Sequence, residues 1–285
     1  MGALSKIGIV LEMIKFEHTV FALPFALASA LVAAGGLPDW RTLGWILVAM
    51  VGARSAAMAF NRIADARLDA LNPRTADRAI PRGLVSISSA WAIVIISTAM
   101  LVWAAYMLNP LAFALSPVAL TAVMTYSYSK RFTSLSHLWL GLCLGIAPTG
   151  AWIAVRGAIE PQPLVLSAAV MLWTAGFDVI YSLQDLDFDR RIGLASLPAR
   201  IGARAALTVS RLFHVGTVGL LIVFGAMSGL GVPYYLGVGL AAACLIYEQS
   251  IVSAEDISRV NAAFFTANGF VSLAMLFFVA LDLAV

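Results

Sequence analysis

The chain has 285 residues, 61% of them hydrophobic and only 12% charged, with a mean hydropathy of +0.93. Soluble domains are about half apolar and about a quarter charged, so this composition excludes a soluble enzyme and predicts an integral membrane protein. The net charge of +3 is too small to imply a nucleic-acid partner.

The start, Met1-Gly2-Ala3-Leu4-Ser5-Lys6, lacks a cleavable signal pattern and is expected to be retained. Ile7 to Phe16 reads as an amphipathic interfacial helix with Lys6, Glu12 and Lys15 on its wet side. Nine spans of roughly 20 residues follow, as a bilayer requires: 17–36, 41–61, 87–108, 110–129, 134–155, 162–183, 204–227, 231–249 and 262–283. The breaks fall at Gly35-Gly36-Leu37-Pro38, Asn109-Pro110, Gly157 to Pro163 and Gly229 to Pro233, which is turn chemistry. No linker separates domains, so residues 1–285 form one transmembrane domain by this reading. Cys143 and Cys244 lie inside apolar runs and read as small buried hydrophobes.

Basic residues orient the chain. The loop after the second span holds Arg62, Arg67, Arg74, Arg78 and Arg82; later loops hold Lys130 and Arg131, then Arg190, Arg191 and Arg200. The alternate loops carry only Arg41 and Arg156. The positive-inside rule therefore places the N-terminus, the long loops and both acidic stretches on the cytoplasmic side; the expected location is a bacterial inner membrane.

Two acidic stretches carry the chemistry. Asn61, Asp65 and Asp69 recur every four residues, which stacks them on one helix face. Asp178, Tyr181, Asp185, Asp187 and Asp189 form the second cluster. Carboxylates at the end of a membrane helix are costly and mark function. Asp65 with Asp69, and Asp185 with Asp189, share an i, i+4 spacing that suits one Mg²⁺ each, with neighbouring cations neutralising a phosphorylated ligand. Asn61 adds a neutral oxygen, and Tyr126 precedes Lys130 by four residues. The plainer alternative, surface ion pairs at a helix end, suits one cluster better than two matched ones. His18, His137 and His214 show no ligand-like spacing, and Gly141 with Gly145 reads as helix packing.

These motifs resemble the UbiA superfamily of intramembrane aromatic prenyltransferases. Its first motif, N-D-x-x-D-x-x-x-D, is met by Asn61 to Asp69 with Arg62 in place of the first Asp; its D-x-x-x-D by Asp185 to Asp189; its Y-x-x-x-K by Tyr126 to Lys130. Arg74, Arg78, Pro81, Arg82 and Gly83 match its arginine-rich stretch. The resemblance implies nine transmembrane helices around a central cavity open to lipid. It implies that Asp65, Asp69, Asp185 and Asp189, with Asn61, bind Mg²⁺ and the diphosphate of a polyprenyl donor. Arg74, Arg78 and Lys130 would hold the phosphates, and Tyr126 would lie beside the departing diphosphate.

Lys15 to Pro24, Asn61-Arg62 and Ser258 to Phe265 look most like the branch of the futalosine route to menaquinone, whose acceptor is 1,4-dihydroxy-6-naphthoate. The alternative acceptor is 4-hydroxybenzoate, in ubiquinone synthesis. Arg62, His18 and Lys15 are the candidates for binding the acceptor carboxylate. No obligate protein partner is expected. A transporter with ion-binding carboxylates is the competing class, but paired interrupted half-helices are missing. An alcohol phosphotransferase would need a D-G-x-x-A-R motif, which the chain lacks.

Overall fold

The structure, a computed structural model, describes residues 3–14 and 19–285. Among them the chain is all helical, with no strand. In order the elements are α1 (Ala3–Met13), α2 (Thr19–Ala34), α3 (Trp40–Ala64), α4 (Ala66–Leu71), α5 (Ile87–Leu108), α6 (Pro110–Ser129), α7 (Ser136–Arg156) and α8 (Pro161–Ser182). After a 3-10 turn at Leu183–Asp185 come α9 (Leu186–Ile192), α10 (Leu197–Ile201), α11 (Ala203–Met227), α12 (Val232–Ser250) and α13 (Val260–Ala262). A π turn, Ala263–Ala267, leads into α14 (Asn268–Asp282).

A helix occupies each of the nine expected positions, and 87–108 and 110–129 agree to the residue. Seven helical spans among the described residues are long and apolar enough to cross a membrane. The other two fall short for different reasons. α2 has 16 residues, a rise of about 24 Å against a hydrocarbon core of about 30 Å. Gly35 and Gly36 stop it by turning to φ +64° and +151°, which a residue with a Cβ adopts at a cost. α12 has 19 residues but carries Pro233, Tyr234 and Tyr235 in its first turn and Glu248 and Gln249 in its last. α1, Ala3–Met13, overlaps the stretch 7–16 expected as an interfacial helix, with Glu12 exposed and Met13 buried. Lys15 and His18 lie outside the described residues.

The chain divides into two compact units. The first comprises the N-terminal residues to 19 and 41–128. In it a Cβ on Gly52 of α3 would lie 2.8 Å from the backbone of Ser97 and Leu101 on α5, so these helices touch through backbone. The second comprises 20–40 and 129–285, with α8 as its most buried helix: Trp173, Ala175, Val179 and Ile180 are fully covered. Gly141 and Gly145 let α7 approach α8. A Cβ added at Gly141 would collide with the Met171 carbonyl oxygen, and one at Gly145 would sit 2.7 Å from that of Ser167. Gly176 admits the His214 ring of α11, and Ser210 Oγ donates to the Gly176 carbonyl at 2.8 Å.

This close approach predicts that Gly141→Ala pries α7 from α8 and destabilises the protein by about 1–3 kcal/mol. Gly150→Ala, with nothing within 4 Å of its Cβ, is the control and leaves the melting temperature unchanged. Thermal melts in one detergent compare the two.

Candidate functional site

In the first unit the apolar helix α3 runs to Ala64 and breaks at Asp65, where φ is −96° and ψ 4°, before α4 resumes. The backbone ladder survives the break: Asp65 N–H donates to Asn61 O at 2.9 Å, and Asp69 N–H to Asp65 O at 2.8 Å. Asn61, Asp65 and Asp69 therefore stay in register over two turns. Asp65 and Asp69 are buried, at 4% and 5% exposure. Asn61 Nδ2 donates to Asp65 Oδ2 at 3.1 Å and to Ser127 Oγ of α6 at 3.4 Å, which leaves Oδ1 as its available oxygen. Arg78 Nη1 donates to Asp69 Oδ1 at 2.7 Å. Asp69 Oδ2 is buried and finds no partner among the described residues.

The loop between these residues is built locally. Asn72 Oδ1 accepts from Arg74 N–H at 3.0 Å, and Thr75 Oγ1 donates to Asp69 O at 3.1 Å, so the chain folds back over α4 and returns Arg78 to Asp69. Arg74 is exposed, and Tyr126 near the end of α6 is half-buried. Arg62 is buried, and its Nε donates to the Met13 carbonyl at 3.1 Å, which ties α3 to the end of α1.

The second unit repeats the junction. α8 leads through the 3-10 turn to Asp185, at φ −102° and ψ 4°, and α9 follows. Asp189 is buried at 4%, matching Asp69, while Asp187 is exposed. Lys130, Asp185 and His137 stand close enough to Asp189 to act on its charge. A strap after Gly193 holds this region. Leu194 N–H donates to Asp189 O at 2.8 Å, Ala195 N–H to Lys130 O at 2.8 Å, and Leu197 N–H to His137 Nε2 at 3.2 Å. Because Nε2 accepts, the imidazole proton sits on Nδ1 and is donated to Asp178 Oδ2 at 2.7 Å. Asp178 thus serves His137 and stands apart from the D-x-x-x-D pair in role. No sequence spacing announces this brace, since its partners are 41 and 60 residues apart. Only Asp178 itself, a carboxylate in an apolar run, signals a partner.

The donor set fits Mg²⁺: it is all oxygen, and Asp69 offers an orphaned carboxylate atom. Among the described residues no three His, Cys, Asp or Glu side chains converge on one point. Each motif brings two carboxylates, and Mg²⁺ commonly completes its shell with water and substrate phosphate.

Comparison with known proteins bears on this geometry. Residues 22–277 match the model of the UbiA prenyltransferase family. A 4-hydroxybenzoate octaprenyltransferase of Aliivibrio fischeri is 32% identical over 240 residues, 83% of each chain. One of Vibrio cholerae is 32% identical over 245 residues, 86% of each. The apo structure of a UbiA homolog from Aeropyrum pernix is 36% identical, with a TM-score of 0.81, covering 94% of this chain and 97% of that one. A UbiA homolog from Archaeoglobus fulgidus bound to DMAPP and Mg²⁺ is 18% identical and shares the fold, with a TM-score of 0.77 over 97% and 99%.

The orphaned oxygen predicts metal-linked stability. Mg²⁺ with inorganic pyrophosphate at about 100 times its dissociation constant stabilises a folded protein by about 2.7 kcal/mol. The melting temperature of the intact protein should rise accordingly, and Asp69→Ala should lose most of that rise.

Proposed function

Because the chain belongs to the UbiA prenyltransferase family, we propose that it transfers a polyprenyl group from polyprenyl diphosphate to an aromatic acid. The observation that carries this is the repeated junction, in which an apolar helix breaks at one Asp and buries a second Asp one turn later. Asp65 with Asp69, and Asp185 with Asp189, are the Mg²⁺ ligands, and Asn61 orients Asp65. Arg74, Arg78 and Lys130 bind phosphate oxygens, and Tyr126 lies beside the leaving group. When bound, Mg²⁺ supplies the positive charge against which the diphosphate leaves. Arg78 already stands at Asp69, so the cation that binds phosphate and the carboxylate that binds metal are aligned by one 2.7 Å contact.

The diphosphate leaves with the electron pair of the allylic C–O bond. A carbon of the electron-rich ring then forms the new C–C bond and gives up its proton. Apolar and aromatic walls must keep water from the allylic carbon in the interval. A membrane bundle also suits the long isoprenoid tail. The active loops face the cytoplasm of a bacterial inner membrane, as the arginine distribution favours. Nothing in the fold favours the transport reading.

The acceptor we propose is 1,4-dihydroxy-6-naphthoate, on the resemblance of residues 15–24, 61–62 and 258–265 to that branch. Arg62, and with it Lys15 and His18, would meet the acceptor carboxylate. The second reading, 4-hydroxybenzoate, is favoured by the names of the relatives.

The test offers the intact protein, in nanodiscs with Mg²⁺ and one polyprenyl diphosphate, both acceptors in parallel, with mass spectrometry of the lipid extract. Prenylated naphthoate is the expected product. Prenylated hydroxybenzoate supports the second acceptor, and no product from either overturns the reading. Asp65→Ala and Asp185→Ala should each lower turnover by at least about 100-fold while leaving insertion intact. Full activity in either removes that residue from the site.

A further inference from the structure

Behind the second acidic motif lies a buried polar group that the chemistry above does not use. Asn268, Trp173 and Glu248 are each fully covered, on α14, α8 and α12. Trp173 Nε1 donates to Asn268 Oδ1 at 2.6 Å. An indole nitrogen only donates, so this bond fixes which way the amide points. Asn268 Nδ2 then faces Glu248 Oε1 at 3.0 Å, Ala263 O at 3.1 Å and Phe264 O at 3.2 Å. The two carbonyls belong to the π turn, a widened turn that concentrates at functional sites. The backbone N–H of Asn268 goes to Phe265 O, and its side chain takes Phe264 O in its place. Among the described residues Glu248 Oε2 has no partner, so Glu248 contributes to this group through Oε1.

The turn these groups hold carries Phe264 and Phe265. Phe264 is 6% exposed and packs on Tyr181 with ring centroids 4.3 Å apart. It also meets Phe21 and Phe177 edge-on, each at 5.3 Å. Tyr181 lies one turn before Asp185 on α8. Three hydrogen-bonded side chains thus set a turn, the turn sets a ring, and the ring packs on the aromatic residue next to the carboxylate motif.

We propose that Asn268 and Glu248 are positioning residues that hold the Phe264–Tyr181 aromatic pair beside the second acidic motif, where it keeps water from the allylic carbon. The inference rests on the prenyl-transfer reading. Its signature is the partition of the donor. When the C–O bond to diphosphate breaks, the allylic carbon either bonds to the aromatic acceptor or bonds to a water oxygen. The second route releases a proton to solvent and yields free polyprenol. A loosened aromatic pair admits water and shifts the products toward polyprenol, whereas a merely structural defect lowers both products together.

The experiment measures the ratio of polyprenol to prenylated acceptor for the intact protein in nanodiscs, with polyprenyl diphosphate, Mg²⁺ and whichever acceptor the wild type uses. Asn268→Leu, which fills the space but cannot donate, should raise the ratio at least about fivefold, the consequence of roughly one lost buried hydrogen bond. Glu248→Leu should do the same, and Glu248→Gln, which keeps an acceptor oxygen, should hold the wild-type ratio. Phe264→Leu removes the ring while leaving the three partners in place, and should also raise the ratio; it decides the matter where Asn268→Leu fails to fold. An unchanged ratio in a folded Asn268→Leu or in Phe264→Leu overturns the positioning role. A wild type that consumes no donor overturns the prenyl-transfer reading itself, which separates the two failures.

Discussion

Carboxylates sunk into the ends of membrane helices are the constraint on which the rest of this structure depends. A charged carboxylate without a partner is expensive away from water. Asp69 and Asp189 are nonetheless buried to nearly the same extent, each one turn past a helix break with nearly identical backbone angles. In each motif the break sets a short helix after a long apolar one, and the second Asp lies within that short helix. Neighbours offset part of that cost: Arg78 on Asp69, Asn61 on Asp65, and the charge of Lys130 near Asp189, against the opposing charge of Asp185. The orphaned Oδ2 of Asp69 is the part that no hydrogen bond among the described residues offsets, and a divalent cation is the natural complement.

Holding such groups in register requires a rigid frame, and apolar helices in lipid gain nothing from hydrophobic burial against one another. The chain answers with backbone approach and buried polar ties. Glycines at 52, 141, 145 and 176 bring helices to contact, and side-chain donors reach carbonyls of neighbouring helices, as Ser29 Oγ does to Pro148 O at 2.7 Å. The His137–Asp178 brace and the Asn268 group extend the same device toward the second motif. Interior polar groups are costly when unpaired and specific when paired, so each one found paired here marks a place where position matters.

Much of this was legible in the sequence. Hydropathy located every long helix, because a soluble chain seldom tolerates an apolar run of bilayer length. The i, i+4 spacing of Asp65 with Asp69 and of Asp185 with Asp189 identified both candidate ligand pairs. The helix breaks at Asp65 and Asp185 were not legible, since nothing in Ile63-Ala64-Asp65-Ala66 opposes a continuing helix. Nor was the short reach of α2, where Gly35 and Gly36 cut the helix before a bilayer width is reached. His137 read as isolated because its partners come from α8 and α10, far along the chain. Asn268 and Glu248 carry no motif, and only the three-dimensional packing joins them.

The claim at the centre of this account is that each acidic motif holds a metal ion on a diphosphate. Counting bound Mn²⁺ by electron paramagnetic resonance, in nanodiscs with an unreactive polyprenyl thiolodiphosphate, tests it most directly. The account predicts two ions per wild-type chain, with one lost when either Asp pair is replaced by Asn. No tightly bound ion in a folded, analogue-bound wild type would contradict it.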